Sequence, residues 1–217
     1  MNPALIELII LAGIAVFLFL RLRSVLGTRE GFEKPRMQPK NDSPKRDFKV
    51  IDGGEDKDIT DNVEKNSKSA KALKVIKEKD ESFTVNEFLS GARSAYEWIL
   101  MSFEKNEMDD IRALLSEEVA EAFDSVVEQR VAQGLTVEAE FIGVREMKLV
   151  DADYNLKTDT AEIAVSFIGE MTSVVKNASG EIVEGDTKQI KRQKDTWTFS
   201  KDIKSSDPNW LLVATGE

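Results

Sequence analysis

Hydrophobic positions along this chain change their period three times. Ala4 to Leu20 is an apolar run broken only by Glu7. Between Gly27 and Asn66 large apolar residues are sparse, and Pro35, Pro39, Pro44, Gly53 and Gly54 lie among scattered charges. From Ser67 to Gly134 apolar residues recur every three or four positions, and from Thr136 onward they alternate with polar ones. In order, these periods predict a membrane-spanning segment, a flexible tether, helices and antiparallel strands.

The helical part divides at its capping signals. From Ser67 to Lys79, Ala72, Leu73 and Ile76 form one stripe ringed by Lys68, Lys71, Lys74, Lys77 and Lys79, which predicts a short basic amphipathic helix. Such an arm packs on the following domain or lies against lipid, and both readings stay open. Thr84 with Glu87 makes a capping box and Phe83 with Phe88 a hydrophobic staple, so a second helix starts there. Its buried face is Phe88, Leu89, Ala92, Ala95, Tyr96, Ile99, Leu100 and Phe103, and it frays near Lys105 and Asn106. A helical turn from Asp109 to Leu114 follows. Ser116 then caps a third helix with Val119, Phe123, Val126, Val127 and Val131 facing inward, ended by Gly134.

Beyond Gly134 strict alternation begins. One strand runs from Thr136 to Asp151 through Val137, Ala139 and Phe141, then Arg145, Met147 and Leu149, with a kink at Gly143. Asp153 to Asn155 and Asp159 mark a turn. Ala161, Ile163, Val165 and Phe167 share one face of the next strand, which ends at the Asn177 to Gly180 turn. Two more strands cover Lys188 to Ile203 and Trp210 to Thr215. Helices first and strands afterwards predict an α+β fold, a curved antiparallel sheet wrapped on helices as a cone-like single domain. The expected organisation is an anchor at 1–23, a flexible charged linker at 24–66, the basic arm at 67–82 and the domain at 83–217.

At about 1.5 Å per residue the apolar run spans roughly 25 Å, close to the roughly 30 Å of a bilayer core. No Lys or Arg precedes it and no small-x-small site follows it, which favours an uncleaved anchor over a signal peptide. Arg21, Arg23, Arg29, Lys34 and Arg36 all lie on its C-terminal flank. The positive-inside rule therefore puts the N-terminus outside and the domain in the cytoplasm, with a single pass through the membrane.

Charge divides unevenly. Arg21 to Asp47 holds eight basic and four acidic residues, about +4, and the chain from Phe48 onward carries about −13 of a total −10. An acidic body argues against nucleic acid. The basic collar, with Arg21 and Arg23, and the arm lysines Lys68, Lys71, Lys74 and Lys77 suit anionic headgroups. There is no Cys and no His, which removes thiol and imidazole catalysis and their metal sites. The acids of Asp52 to Asp58 do not match calcium-loop spacing and read as a solvated acidic turn.

Several short motifs, in order, resemble one family. They are Ser82-Phe83, Glu87-Phe88-Leu89, Gly91-Ala92 and Tyr96, then Leu114-Leu115-Ser116, Phe123 and Arg130. Gly180-x-x-x-Glu184-Gly185, Trp197-x-Phe199 with Asp202, and Asp207-Pro208-Asn209-Trp210-x-Leu212 complete the set. Between about Leu73 and Thr215 the chain resembles the C-terminal domain of mitochondrial import inner-membrane translocase subunit 44 and its membrane-anchored bacterial relatives, which resemble the nuclear transport factor two-like cone. Lys201 stands where that family more often has Arg, and Leu211 where it is usually polar. The long region with which mitochondrial members recruit the seventy-kilodalton heat-shock chaperone is replaced by the apolar run and a short tether.

The resemblance implies an adaptor or scaffold that binds inner-membrane proteins or chaperones, in protein translocation or membrane-complex assembly. A lipid- or small-molecule-binding cone is the alternative. Phe141, Val165, Phe167, Trp197 and Trp210 are the residues expected to line its concavity, or else to be ordinary core. Cone folds elsewhere host isomerases and dehydratases, but Asp151, Asp153 and Asp159 fall at a strand end and a turn where water solvates them. Neither a general base nor an Asp151-x-Asp153 metal pair is expected, so the chain reads as a non-enzyme without cofactor or metal.

Overall fold

A capping side chain opens each α-helix among the described residues. The computed structural model describes residues 56–216; the expected anchor with Arg21 and Arg23, the collar and most of the linker lie outside the described residues. Asp56 opens α1 (Lys57–Thr60), accepting from the Asp58 N–H at 3.1 Å. Ser67 opens α2 (Lys68–Lys79), Thr84 opens α3 (Val85–Glu104) and Ser116 opens α4 (Glu117–Ala132), each accepting a backbone N–H with its hydroxyl. Two 3-10 turns, Met108–Asp110 and Arg112–Leu114, join α3 to α4. No helix among the described residues is long and apolar enough to cross a membrane.

Within the stretch assigned to the linker, the described residues hold a short helix. Ile59 of α1 is fully buried in the core, and the acids around it are structural rather than a solvated turn. Asp58 accepts from the Val85 and Asn86 N–H groups at 2.8 and 3.0 Å, and Lys77 bridges Asp56 and Asp58 at 2.7 and 3.0 Å. A carboxylate borrowed from α1 thus complements the positive N-terminus of α3. The stripe of α2 is equally committed: Leu73 and Ile76 are fully buried, and α2 and α3 both pack on β1.

The strands β1 (Thr136–Asn155), β2 (Thr160–Lys176), β3 (Ile182–Asp202) and β4 (Leu211–Gly216) form an antiparallel meander in the order β1-β2-β3-β4. Simple alternation fails in β1 for a definable reason. Register shifts fall between Phe141 and Gly143, Val144 and Glu146, and Leu149 and Asp151. At each one the inward phase advances by three residues instead of two, so Phe141, Val144 and Met147, then Leu149 and Ala152, face the core. Ile142 and Val150 are turned out to about half exposure. β1 also continues through Asp153 and Tyr154, and the turn comes at 156–159, where Asp159 takes a positive φ of 54°. β3 starts six residues before Lys188 and bulges at Thr187 to Ile190, four residues set against Thr172 alone.

In α4 the expected inward valines divide. Val119 is buried, Phe123 and Val127 pack against the core, and Val126 and Val131 are exposed. Arg130 takes the inward place on the last turns. Its guanidinium lies 4.5 Å over the Phe103 ring, donates to the Phe103 carbonyl at 3.3 Å and meets Glu104 at 3.4 Å. Burial holds the Glu104 carboxyl above its ordinary range even with Arg130 beside it.

Candidate functional site

Among the described residues an open groove lies beside α3, not inside the curve of the sheet. Four of the five residues expected to line a cavity are occupied with one another. Val165 and Phe167 are fully buried and Trp197 nearly so, because the Tyr96 ring fills the space they enclose. It stacks on Phe167 at 4.4 Å and 9°, lies 4.7 Å from Trp197 and meets Phe141 edge-on at 6.2 Å. The Tyr96 hydroxyl donates to Asp195 at 2.5 Å. Burial, reinforced by that carboxylate, pushes the phenol far above its ordinary range. Sequence periodicity placed Tyr96 in the core but carried no sign of Asp195.

Trp210 is the fifth residue, and it does line open space. Phe83, Phe88 and Trp210 form an aromatic floor, with ring centroids 5.9 Å apart for Phe83 and Trp210 and 4.8 Å for Phe88 and Trp210. Above it lies a groove of about 450 Å³, walled by α3 on one side and by Pro208, Asn209 and Trp210 on the other. The local sequence explains this geometry. Half of the expected capping box forms, Thr84 Oγ1 accepting from the Glu87 N–H at 3.2 Å, while Glu87 Oε2 accepts from the Thr84 hydroxyl at 3.0 Å. The staple brings Phe83 to within 6.2 Å of Phe88, so both rings are fixed where α3 begins.

Polar groups sit on the rim. Lys201 meets Asp80 at 3.6 Å, and Asp80 also accepts from the Ser82 N–H and hydroxyl. The Ser82 hydroxyl, against a smaller opposing effect of burial, holds the Asp80 carboxyl below its ordinary range, with Lys201 adding to it. Trp98 stands 52% exposed at the α3 wall, and a Cβ added at Gly91 would meet nothing within 4 Å. Gly91 was quoted in the sequence only as part of the family resemblance, and Trp98 carried no signal there.

The remaining expected residues are scattered. Lys68 pairs with Asp153 at 3.1 Å and Lys77 with the two α1 acids, while Lys71 and Lys74 are exposed on the outer side of α2. Asp151 accepts from the Ser69 hydroxyl at 2.8 Å and from the Ala152 N–H. Asp159 lies at the turn with Lys204 at 2.5 Å and the Tyr154 hydroxyl at 2.7 Å, which hold its carboxyl below the ordinary range. These acids each serve a different local contact and converge on no common point.

A Tim44-like domain profile matches residues 69–217, most of the chain. The chain belongs to the Tim44-like family. No curated protein sequence matches it. Among solved structures, the intermembrane space region of the chloroplast protein ARC6 aligns with a TM-score of 0.36 at 7% identity, covering 57% of this chain and 94% of that one. The groove beside α3 is therefore a feature of a Tim44-like domain, built from residues that the family resemblance itself includes: Phe83, Phe88, Gly91 and Trp210.

Proposed function

We propose that this Tim44-like protein is a membrane-anchored adaptor. Its domain binds protein partners on the cytoplasmic side of a bacterial inner membrane, in protein translocation or in the assembly of membrane complexes, and it performs no catalysis. The observation that carries the reading is the pairing, in one chain, of a Tim44-like domain with an apolar run and basic flank at its N-terminal side. The aromatic groove supplies the contact surface, since large aromatic side chains beside a concavity are where recognition energy concentrates.

The test is a photo-crosslinking residue placed at Asn209 on the groove rim, in intact cells, with Ser179 in the β2–β3 turn as the remote position. Asn209 is expected to capture defined inner-membrane proteins identified by mass spectrometry, and Ser179 is not. Gly91→Leu fills the groove from α3, where open space receives the side chain, and should abolish capture. Because a helix-former replaces glycine in a helix interior, the same variant should be more stable by about 1 kcal/mol in urea denaturation. Equal capture from both positions, or capture that survives Gly91→Leu, would remove the groove from the account. A C-terminal reporter active only outside the cytoplasm would overturn the topology.

The groove volume also falls in the range of small-ligand sites, which favours a lipid-binding reading as the second one. Exposed Lys71 and Lys74 and the collar arginines would then meet anionic headgroups. Flotation of the chain with liposomes separates the two: recovery that rises with anionic lipid supports the lipid contact, and equal recovery removes it.

A further inference from the structure

β3 leaves one edge open over a short stretch. It pairs with β2 on one side, while β4 on the other covers only Thr196–Ser200. The next residues, Lys191–Asp195, meet no strand on that side among the described residues. The bulge at Thr187 to Ile190 bounds this slot at one end, and Gly216, opposite Thr196, bounds it at the other. At about 3.3 Å per residue it is roughly 17 Å long, room for a short added strand. Lys188, Lys191, Arg192 and Lys194 crowd it with no acid between them, on a body that carries about −13. Asp195 turns inward to Tyr96, so alternation puts Arg192 and Lys194 together on the outer face of the sheet. Arg192 meets Glu170 there at 2.9 Å, and Lys194 makes no salt bridge among the described residues.

We infer that an acidic, extended segment of a partner protein adds to the sheet at this slot, in line with β4, with carboxylates at alternate positions facing Arg192 and Lys194. Strand addition draws affinity from main-chain hydrogen bonds and selectivity from alternate side chains. Every second residue of Lys191–Asp195 turns its N–H and C=O to the open side, so the backbone holds an extended segment and the cations choose an acidic one. Lysines and bulges also guard sheet edges against self-association. Here the two roles agree. The slot laid antiparallel on that of a second copy about Gln193 would set Arg192 against Lys194 twice, whereas an acidic strand pairs with both. None of Lys191–Asp195 lines the aromatic groove, so this contact is additional to the groove and does not depend on it.

The probe is a fluorescein-labelled peptide of alternating valine and glutamate, compared by anisotropy with its valine and lysine counterpart on the full chain in detergent. The acidic peptide should bind at least about tenfold more tightly, and Arg192→Glu with Lys194→Glu should reverse the order. Methylating the backbone nitrogens of the acidic peptide keeps its charge but removes its donors, and should abolish binding. Trp fluorescence reports that the double variant is folded. The inference is overturned if the acidic peptide does not bind, if the two peptides bind equally or if their order survives the double variant. Full binding by the methylated peptide would also overturn it, since a basic patch alone would then explain the affinity. Partner capture from Asn209 reads the groove separately.

Discussion

Gly169→Val should destabilise the domain by about 3 kcal/mol, the upper end of what overpacking a filled core costs. A Cβ at Gly169 lies 2.7 Å from the Tyr96 hydroxyl oxygen and 3.1 and 3.3 Å from two ring carbons. The ring cannot retreat, because Phe167 stacks on one face, Trp197 lies beside it and Asp195 holds the hydroxyl. Urea denaturation followed by the fluorescence of buried Trp197 measures the loss. Tyr96→Phe alone should cost about 1–3 kcal/mol by leaving Asp195 without that donor. Since removing the hydroxyl also removes the closest clash, Gly169→Ala and Tyr96→Phe together should cost less than the sum of the two. Strict additivity would show that the contact carries no weight.

That pair also shows where reading the sequence stops. Helical periodicity put Tyr96 on the buried face of α3, and strand alternation put Phe167 and Trp197 on one face of the sheet, all as observed. The three positions were legible because each depends on a local period. That Tyr96 fills the curve of the sheet depends instead on a glycine in a strand that packs beneath it, and no local pattern joins positions 96 and 169. The cavity was therefore expected among the rings that Tyr96 closes, whereas the space opened at Trp210. In β1 the bulges near Ile142, Arg145 and Val150 changed the inward phase, and only the one beside Gly143 had a marker in the sequence.

Asp58→Ala should cost about 2 kcal/mol, the range expected when a charged cap with several donors is lost. Burial acts to raise the Asp58 carboxyl, but the Val85 N–H, the Lys77 ammonium and the Asn86 N–H outweigh it and leave it below the ordinary value of 3.8. With the folded pKa depressed, the stabilisation is complete above the unfolded value and disappears as pH falls through the folded one. The stability gap between wild type and Asp58→Asn should thus be constant from about pH 8 to about pH 5 and close below about pH 4. A gap that persists unchanged to about pH 3 would mean that ionised Asp58 is not its source. The consequence reaches the groove, because Asp58 holds the residue two positions after Phe83. Once that cap is lost, the first turn of α3 is free to fray, and Phe83 loses the geometry that sets it over Trp210. Asp58→Ala should therefore weaken crosslinking from Asn209 at temperatures where the domain is still folded.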